Sequence, residues 1–353
     1  SFDIILTFPI TASLVGFFVF DQAASKKNRN WGLAAFYLFM GVAVLAKGLI
    51  GFVFPFAIVA FYHVLMRKMP RPALFVSVVW GTLLAVAVAS TWYLPMYLRH
   101  GWEFIDQFFV QHHFQRYTSN KYRHPQPFHF FWWVLPLMTI PWIPFFFVSV
   151  WRTLRGLYPL PPAKSLDPLT TFAWAWMLVP LVFFSLSGSK LPGYILPALP
   201  AAIVIAATSA HRFALRSAGR AAAVKGLAAI TLIVIASIIT FILPGFADAD
   251  SVKRLIADAD ERGFSDRPVV GFLTISHNAE FYAAGRVLRN PDGTQRRLAG
   301  NADIPVALAE AGGGPLLLLV RPEQLHHLTN DTALNVEVLS GNGELDIVAV
   351  RLR

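Results

Sequence analysis

The sequence predicts a polytopic α-helical membrane protein that carries a small soluble α/β domain at its C-terminal end. Three observations carry that prediction. Of 353 residues, 56% are hydrophobic and 14% charged, with a mean hydropathy of +0.53, a balance that no ordinary water-soluble chain has. Thirty-one Phe and ten Trp suit lipid-facing and interfacial surfaces better than one aqueous core. Finally, the long apolar stretches stop near Gly245, and a water-soluble composition follows. Disorder, collagen and coiled coil are excluded.

The net charge of +10 divides unevenly along the chain. Before Gly245 there are 19 Lys+Arg against 5 Asp+Glu, a balance of +14; from there on there are 11 against 15, a balance of −4. The basic excess therefore belongs to the hydrophobic part. It sits in short loops, where topology and anionic headgroups explain it, so membrane lipids are expected partners and nucleic acid is not. The absence of cysteine excludes disulfides, thiolate metal sites and a Cys nucleophile.

A membrane span needs about 20 apolar residues. Eight segments qualify: Ile4–Phe20, Trp31–Ala46, Leu49–Met66, Ala73–Leu98, Phe128–Val150, Leu169–Ser187, Ile195–Ala210 and Gly226–Leu243. The second and third would exceed the hydrocarbon core as one helix, at roughly 50 Å. They are expected to form a hairpin turning at Lys47-Gly48. Residues 1–244 are thus expected to be a transmembrane domain, with 245–353 outside it.

Alternate loops differ in charge, and the difference sets an orientation. One set carries Lys26, Lys27, Arg29, Arg67, Lys68, Arg71, Arg152, Arg155, Lys164, Arg212, Arg216, Arg220 and Lys225; the other has only Lys47, Arg99, Arg116, Lys121, Arg123 and Lys190. The positive-inside rule puts the first set in the cytoplasm. The turns at 47–48, 99–127 and 187–194, and everything after Pro244, then share the opposite side.

Beyond Pro244 the texture changes to short β-rich runs at Pro268–Ile275, Pro315–Arg321, Asn335–Leu339 and Leu345–Leu352. They alternate with helical patterns at Ser251–Gly263, Asn278–Ala284, Ile304–Ala311 and Pro322–Leu328. This domain shows no dinucleotide or phosphate-loop fingerprint around Gly312-Gly313-Gly314 and reads as a lid or docking module.

Polar residues on the outer side are few, and each has two readings. Lys47 interrupts an apolar run and precedes a glycine; it either snorkels at a helix end or faces a cavity and binds an anion. The segment Gln111-His112-His113-Phe114-Gln115-Arg116-Tyr117, followed by Lys121, Arg123 and His124-Pro125-Gln126-Pro127, concentrates positive charge. It is either a solvated interfacial loop or a phosphate site, since the Arg fork binds oxygens bidentately. Ser185 to Pro197 holds Lys190 and Tyr194 in a compact turn that either lines a cavity or simply joins two helices. Asp3 is either a helix cap or a carboxylate serving a reacting hydroxyl or amine.

These turns, taken in order, carry a resemblance. Leu45-Ala46-Lys47-Gly48, His113 to Tyr117, His124 to Pro127, and Ser187-Gly188-Ser189-Lys190-Leu191-Pro192-Gly193-Tyr194-Ile195-Leu196-Pro197 resemble the aminoarabinose transferase-like branch of the protein mannosyltransferase superfamily. Its members are polyprenyl-phosphate-sugar-dependent integral membrane glycosyltransferases of the GT-C fold, in the bacterial inner membrane. The K-L-P-x-Y-I-L-P stretch is the most specific element, and Ala279-Glu280-Phe281-Tyr282 and Leu316–Arg321 are similar to the family's periplasmic domain.

The resemblance implies a GT-C membrane domain with a periplasmic α/β domain. The implied activity is sugar transfer from a polyprenyl-phosphate donor to a lipid A-like or other envelope acceptor. By motif position, Lys47, Arg116 and Lys190 would bind the donor phosphate, and Asp3 would act as base or orient the acceptor. His113, Tyr117, Tyr194 and His124 would line the cavity, and a divalent metal, the one cofactor implied, would sit by His113. The chain opens at Ser1-Phe2-Asp3 without initiator Met or signal pattern and reads as a piece lacking the family's first periplasmic loop, hence as inactive by itself. The competing class is a non-catalytic translocase of lipid-linked sugar, or an anionic-lipid scaffold. Transporters favour charges at the membrane midplane, whereas here they gather at one face.

Overall fold

The computed structural model describes residues 2–106, 126–156 and 167–353. It forms two compact units, Ser1–Ala228 and Ala229–Arg353. The first unit is helical: α1 (Phe2–Gln22), α2 (Lys26–Lys47), α3 (Ile50–Met66), α4 (Pro72–Ile105), α5 (Phe130–Met138), α6 (Ile143–Leu154), α7 (Pro168–Ser185) and α8 (Leu199–Ala214), the last entered through a 3₁₀ segment, Pro192–Ala198. The next helix, α9 (Ala218–Ser237), continues through a π turn into α10 (Leu243–Asp250).

Among the described residues, six helical stretches are long and apolar enough to cross a membrane: Asp3–Gln22, Lys26–Lys47, Pro72–Phe104, Pro168–Ser185, Pro192–Ala214 and Ala218–Asp250. Two further expected spans are shorter. The 17-residue α3 is the second arm of the expected hairpin, which turns at Gly48 as the sequence indicates. The expected single span Phe128–Val150 is instead two helices, α5 and α6, separated at residues 139–142. The reason is local: Pro141 has no N–H to donate back along the helix, and Pro136 and Pro144 flank the break. Beyond it, α6 runs antiparallel to α8, with Phe145 against Phe213 and the Ser149 hydroxyl donating to the Ile205 carbonyl at 2.8 Å.

Helix starts follow their caps. Ser25 accepts from the Asn28 amide at 3.2 Å, so α2 begins five residues before its apolar stretch. Asp167 caps α7 through the Thr170 amide at 3.0 Å, with Pro168 at the first helical position. Inside the bundle, small residues set helix spacing, as expected where lipid removes the aqueous drive for association. A Cβ on Gly32 would lie 2.7 Å from the Gly16 carbonyl oxygen and 2.7 Å from the Phe20 nitrogen, so α1 and α2 touch backbone to backbone. Around that contact Phe17, Phe36, Tyr62 and Phe172 make a buried aromatic core. At the far end of α1 the buried Asp21 accepts from Tyr62 at 3.1 Å, and its carbonyl accepts from Arg71 at 2.7 Å.

The second unit is built on a five-stranded sheet of order β2-β1-β3-β5-β4, with β1 (Val269–Phe272), β2 (Arg297–Leu298), β3 (Leu316–Val320), β4 (Leu334–Gly341) and β5 (Asp346–Leu352). β1 pairs in parallel with β2 and β3, while β5 runs antiparallel to both β3 and β4. The unbroken runs Val-Val-Gly-Phe and Leu-Leu-Leu-Leu-Val are buried along their whole length, as strands covered on both faces must be. Leu317 and Leu319 face one core with Leu255, Ile256, Ala279 and Ala283; Leu316, Leu318 and Val320 face the other with Ile304, Leu308 and Leu328. The expected α/β texture is present at each position named above; the two-residue β2 is additional. Gly312 and Gly313, at φ 79° and 74°, close the helix Ile304–Glu310 through bonds to Ala309 and Leu308.

Gly32→Ala is expected to destabilise the helical unit by about 1–3 kcal/mol through overpacking, followed by Trp fluorescence, since every Trp lies at or before Trp176. Gly219→Ala, with nothing within 4 Å of the added carbon, is the matched control and should be neutral or mildly stabilising. In the sheet, burial raises the pKa of Asp346. An acid with a raised folded pKa contributes stability that is complete below its unfolded pKa and is lost as pH rises through the folded one. Asp346→Asn should therefore resist pulse proteolysis better than wild type at about pH 7 and converge with it below about pH 4.

Candidate active site

The antiparallel packing of α1 on α2 brings the N-terminus of one helix beside the C-terminus of the other. Asp3 lies in the first turn of α1 and Lys47 in the last turn of α2, each where the helix dipole favours its charge. Their side chains form an ion pair, Lys47 Nζ to Asp3 Oδ1, with side-chain exposures of 26% and 12%. A pair so far withdrawn from water holds only when its geometry is good, and removing one partner strands the other charge.

The backbone around Lys47 is shaped to present it. Gly48 adopts φ 64°, ψ −141°, a conformation essentially confined to glycine. Its amide donates to the Val44 carbonyl at 2.7 Å, and Tyr93 Oη on α4 donates to the same carbonyl at 2.9 Å. One orphan acceptor of the helix end thus takes two donors. Tyr93 escaped sequence reasoning: an aromatic near the end of a span reads as part of an interfacial belt, and its tie to α2 exists only in the folded bundle.

Tyr194 comes from the opposite side of the site. It lies in the 3₁₀ segment Pro192–Ala198, is 8% exposed, and packs on Phe184 of α7 at 5.8 Å. Its ring faces Lys47, with Nζ 4.6 Å from the ring centroid, inside cation–π range. The segment is anchored below by Trp176 Nε1, which donates to the Pro197 carbonyl at 2.8 Å. The Pro192-Gly193-Tyr194-Ile195-Leu196-Pro197 stretch is therefore a built descent whose first ring closes over the ammonium.

The structure brings Asp3, Lys47 and Tyr194 together. Lys190 is in the same turn as Tyr194 and is 6% exposed. Its Nζ donates to the Ser187 carbonyl at 2.6 Å and the Gln126 carbonyl at 3.0 Å. His113, Arg116, Tyr117 and His124 lie outside the described residues. Among the described residues no group of three or more His, Asp or Glu is arranged to hold a metal ion.

Comparison with known proteins extends these observations. Residues 4–131 match a family described as 6-pyruvoyl-tetrahydropterin synthase related domain; membrane protein. The undecaprenyl phosphate-alpha-4-amino-4-deoxy-L-arabinose arabinosyl transferase of Aeromonas hydrophila is 30% identical over 216 residues, 59% of this chain and 36% of that protein. A second such transferase, from Pseudomonas fluorescens, is 30% identical over 233 residues, 63% of this chain and 38% of that one. The chain thus spans little more than a third of these relatives. In three dimensions it is similar to ArnT from Cupriavidus metallidurans crystallised with undecaprenyl phosphate, at a TM-score of 0.71 and 21% identity over 99% of this chain and 74% of that one. The apo form of the same protein matches at a TM-score of 0.69. The chain is therefore similar to these transferases in sequence over part of its length, and to ArnT in fold.

Gly48→Ala should strain the hairpin by about 1–3 kcal/mol and move Lys47 away from Asp3 and Tyr194. A lowered thermal midpoint in detergent, against an unchanged Gly219→Ala control, is the expected result.

Proposed function

We propose that this chain is part of a membrane glycosyltransferase that moves a sugar from a polyprenyl-phosphate donor to a lipid A-like or other envelope acceptor. One observation carries the reading: at a single end of the bundle, a carboxylate, an ammonium and a tyrosine from three separate segments converge. Two relatives named as arabinosyl transferases of an undecaprenyl phosphate-linked sugar, and a like-folded protein crystallised with undecaprenyl phosphate, support it.

The chemistry asks little of the protein beyond charge and placement. An acceptor oxygen attacks the anomeric carbon of the donor sugar. The bond from that carbon to the phosphate oxygen breaks, and its electron pair leaves with the polyprenyl phosphate. Lys47, with Arg116 from the basic segment, is assigned to the departing phosphate, where preorganised cations stabilise charge as it develops. Asp3 is assigned to take the proton of the attacking hydroxyl. Lys190 is left out of the phosphate set, because two of its three N–H groups are already committed to carbonyls.

Location follows from the same reading. The chain is a multi-pass membrane protein, and charge asymmetry between loops assigns the Asp3–Lys47 end and residues 245–353 to the periplasmic side of the inner membrane. His113, His124 and Tyr117 are assigned to the cavity wall, with His113 the position beside which a divalent metal would lie. A translocase would need its charges near the midplane, and Asp3, Lys47 and Tyr194 sit instead where helices end.

Membranes carrying the natural full-length protein, supplied with radiolabelled undecaprenyl-phosphate sugar, test the assignment. Lys47→Ala and Arg116→Ala should each lower transfer by about 100-fold or more while the protein stays folded by Trp fluorescence. Wild-type turnover in both variants refutes the phosphate clamp.

A further inference from the structure

Lys190 is a buried ammonium held by neutral partners. No described carboxylate pairs with it; its two contacts are the main-chain carbonyls of Ser187 and Gln126. Burying a charge in this way is costly unless hydrogen bonds satisfy it, and bonds from an ionised donor are about twice as strong as neutral ones. The arrangement resembles a bound cation fixing two stretches of backbone more than a side chain reaching for a ligand.

The two stretches are informative. Ser187 belongs to the tight turn after α7: its amide donates to Phe184 at 3.1 Å and its hydroxyl to the Ser189 carbonyl at 3.0 Å. That turn leads directly into Tyr194, whose ring faces Lys47. Gln126, 64 residues away along the chain, leads through Pro127 into α5. Lys190 therefore fastens the approach to α5 onto the turn that aims Tyr194.

We propose that Lys190 is a positioning residue, an internal clamp that sets the separation between the Gln126 backbone and the Lys47–Tyr194 pair, and does not itself bind the donor phosphate. Its catalytic consequence rests on the glycosyl-transfer reading; its structural role does not. The clamp explains why a lysine, with a compact ammonium on a flexible stem, sits in a turn otherwise made of Ser, Gly, Leu and Pro.

The test uses the natural full-length protein in lipid nanodiscs, with Lys190→Met and Lys190→Arg. Hydrogen exchange is read at the amides of Ser187 to Ser189 and of Phe130 to Trp132. In Lys190→Met both segments should exchange about tenfold faster together, and kcat for transfer from undecaprenyl-phosphate sugar should fall about tenfold or more with KM within about threefold. Lys190→Arg, which keeps donors for both carbonyls, should retain slow exchange and most of kcat. Unchanged exchange in the Met variant, or a tenfold rise in KM at constant kcat, overturns the clamp in favour of a phosphate contact. If Lys190→Met does not fold, Lys190→Arg alone decides: preserved exchange and kinetics support the clamp, and a tenfold KM rise overturns it. If the wild type shows no transfer at all, the glycosyl-transfer reading fails while the exchange measurement still decides the clamp.

Discussion

The pairing of Lys47 with Asp3 is the interaction on which this end of the bundle depends. Each residue alone would be a charge at the edge of hydrocarbon, where it is tolerated only with a partner or an aqueous outlet. The hairpin of α1 and α2 supplies the partner by geometry: antiparallel helices bring a positive dipole end and a negative one to the same level. The rest of the site is arranged around that pair, with Tyr194 over the ammonium and Tyr93 holding the helix end that carries it.

Charge placement also fixes the frame of the membrane unit. Asp3 and Asp21 are 18 residues apart on α1, about 27 Å at helical rise, close to the thickness of a hydrocarbon core. Both acids are buried, and both side chains have a partner from another helix, Lys47 for Asp3 and Tyr62 for Asp21, whose main-chain carbonyl also accepts from Arg71. Between them α1 presents Leu6, Ile10, Leu14 and Phe17, with Ser13 and Gly16, to its neighbours and Ile4, Ile5, Phe8, Val15 and Val19 outward, as a lipid-facing helix should.

Much of this was legible in the sequence, for identifiable reasons. A glycine after the single cation in a long apolar run marks a turn, and the hairpin at Lys47-Gly48 is where that pattern puts it. The all-leucine run at Leu316 announces a strand covered on both sides. The break between α5 and α6 was signalled by Pro136, Pro141 and Pro144, yet hydropathy summed over the window smooths such local chemistry away. Tyr93 and the Gln126 carbonyl left no signal at all, because their contribution is a hydrogen bond made across the fold. Two-residue β2 likewise exists only because β1 is there to pair with it.

The backbone contact at Gly16 and Gly32 has a mechanical consequence. With no side chain between them, α1 and α2 are a welded strut, and neither can slide or roll past the other without opening a gap in the aromatic core. Carboxylate and ammonium at the strut's end must then travel as one body through any breathing of the bundle. Parting the two charges then calls for rotation of the side chains rather than displacement of the helices that carry them.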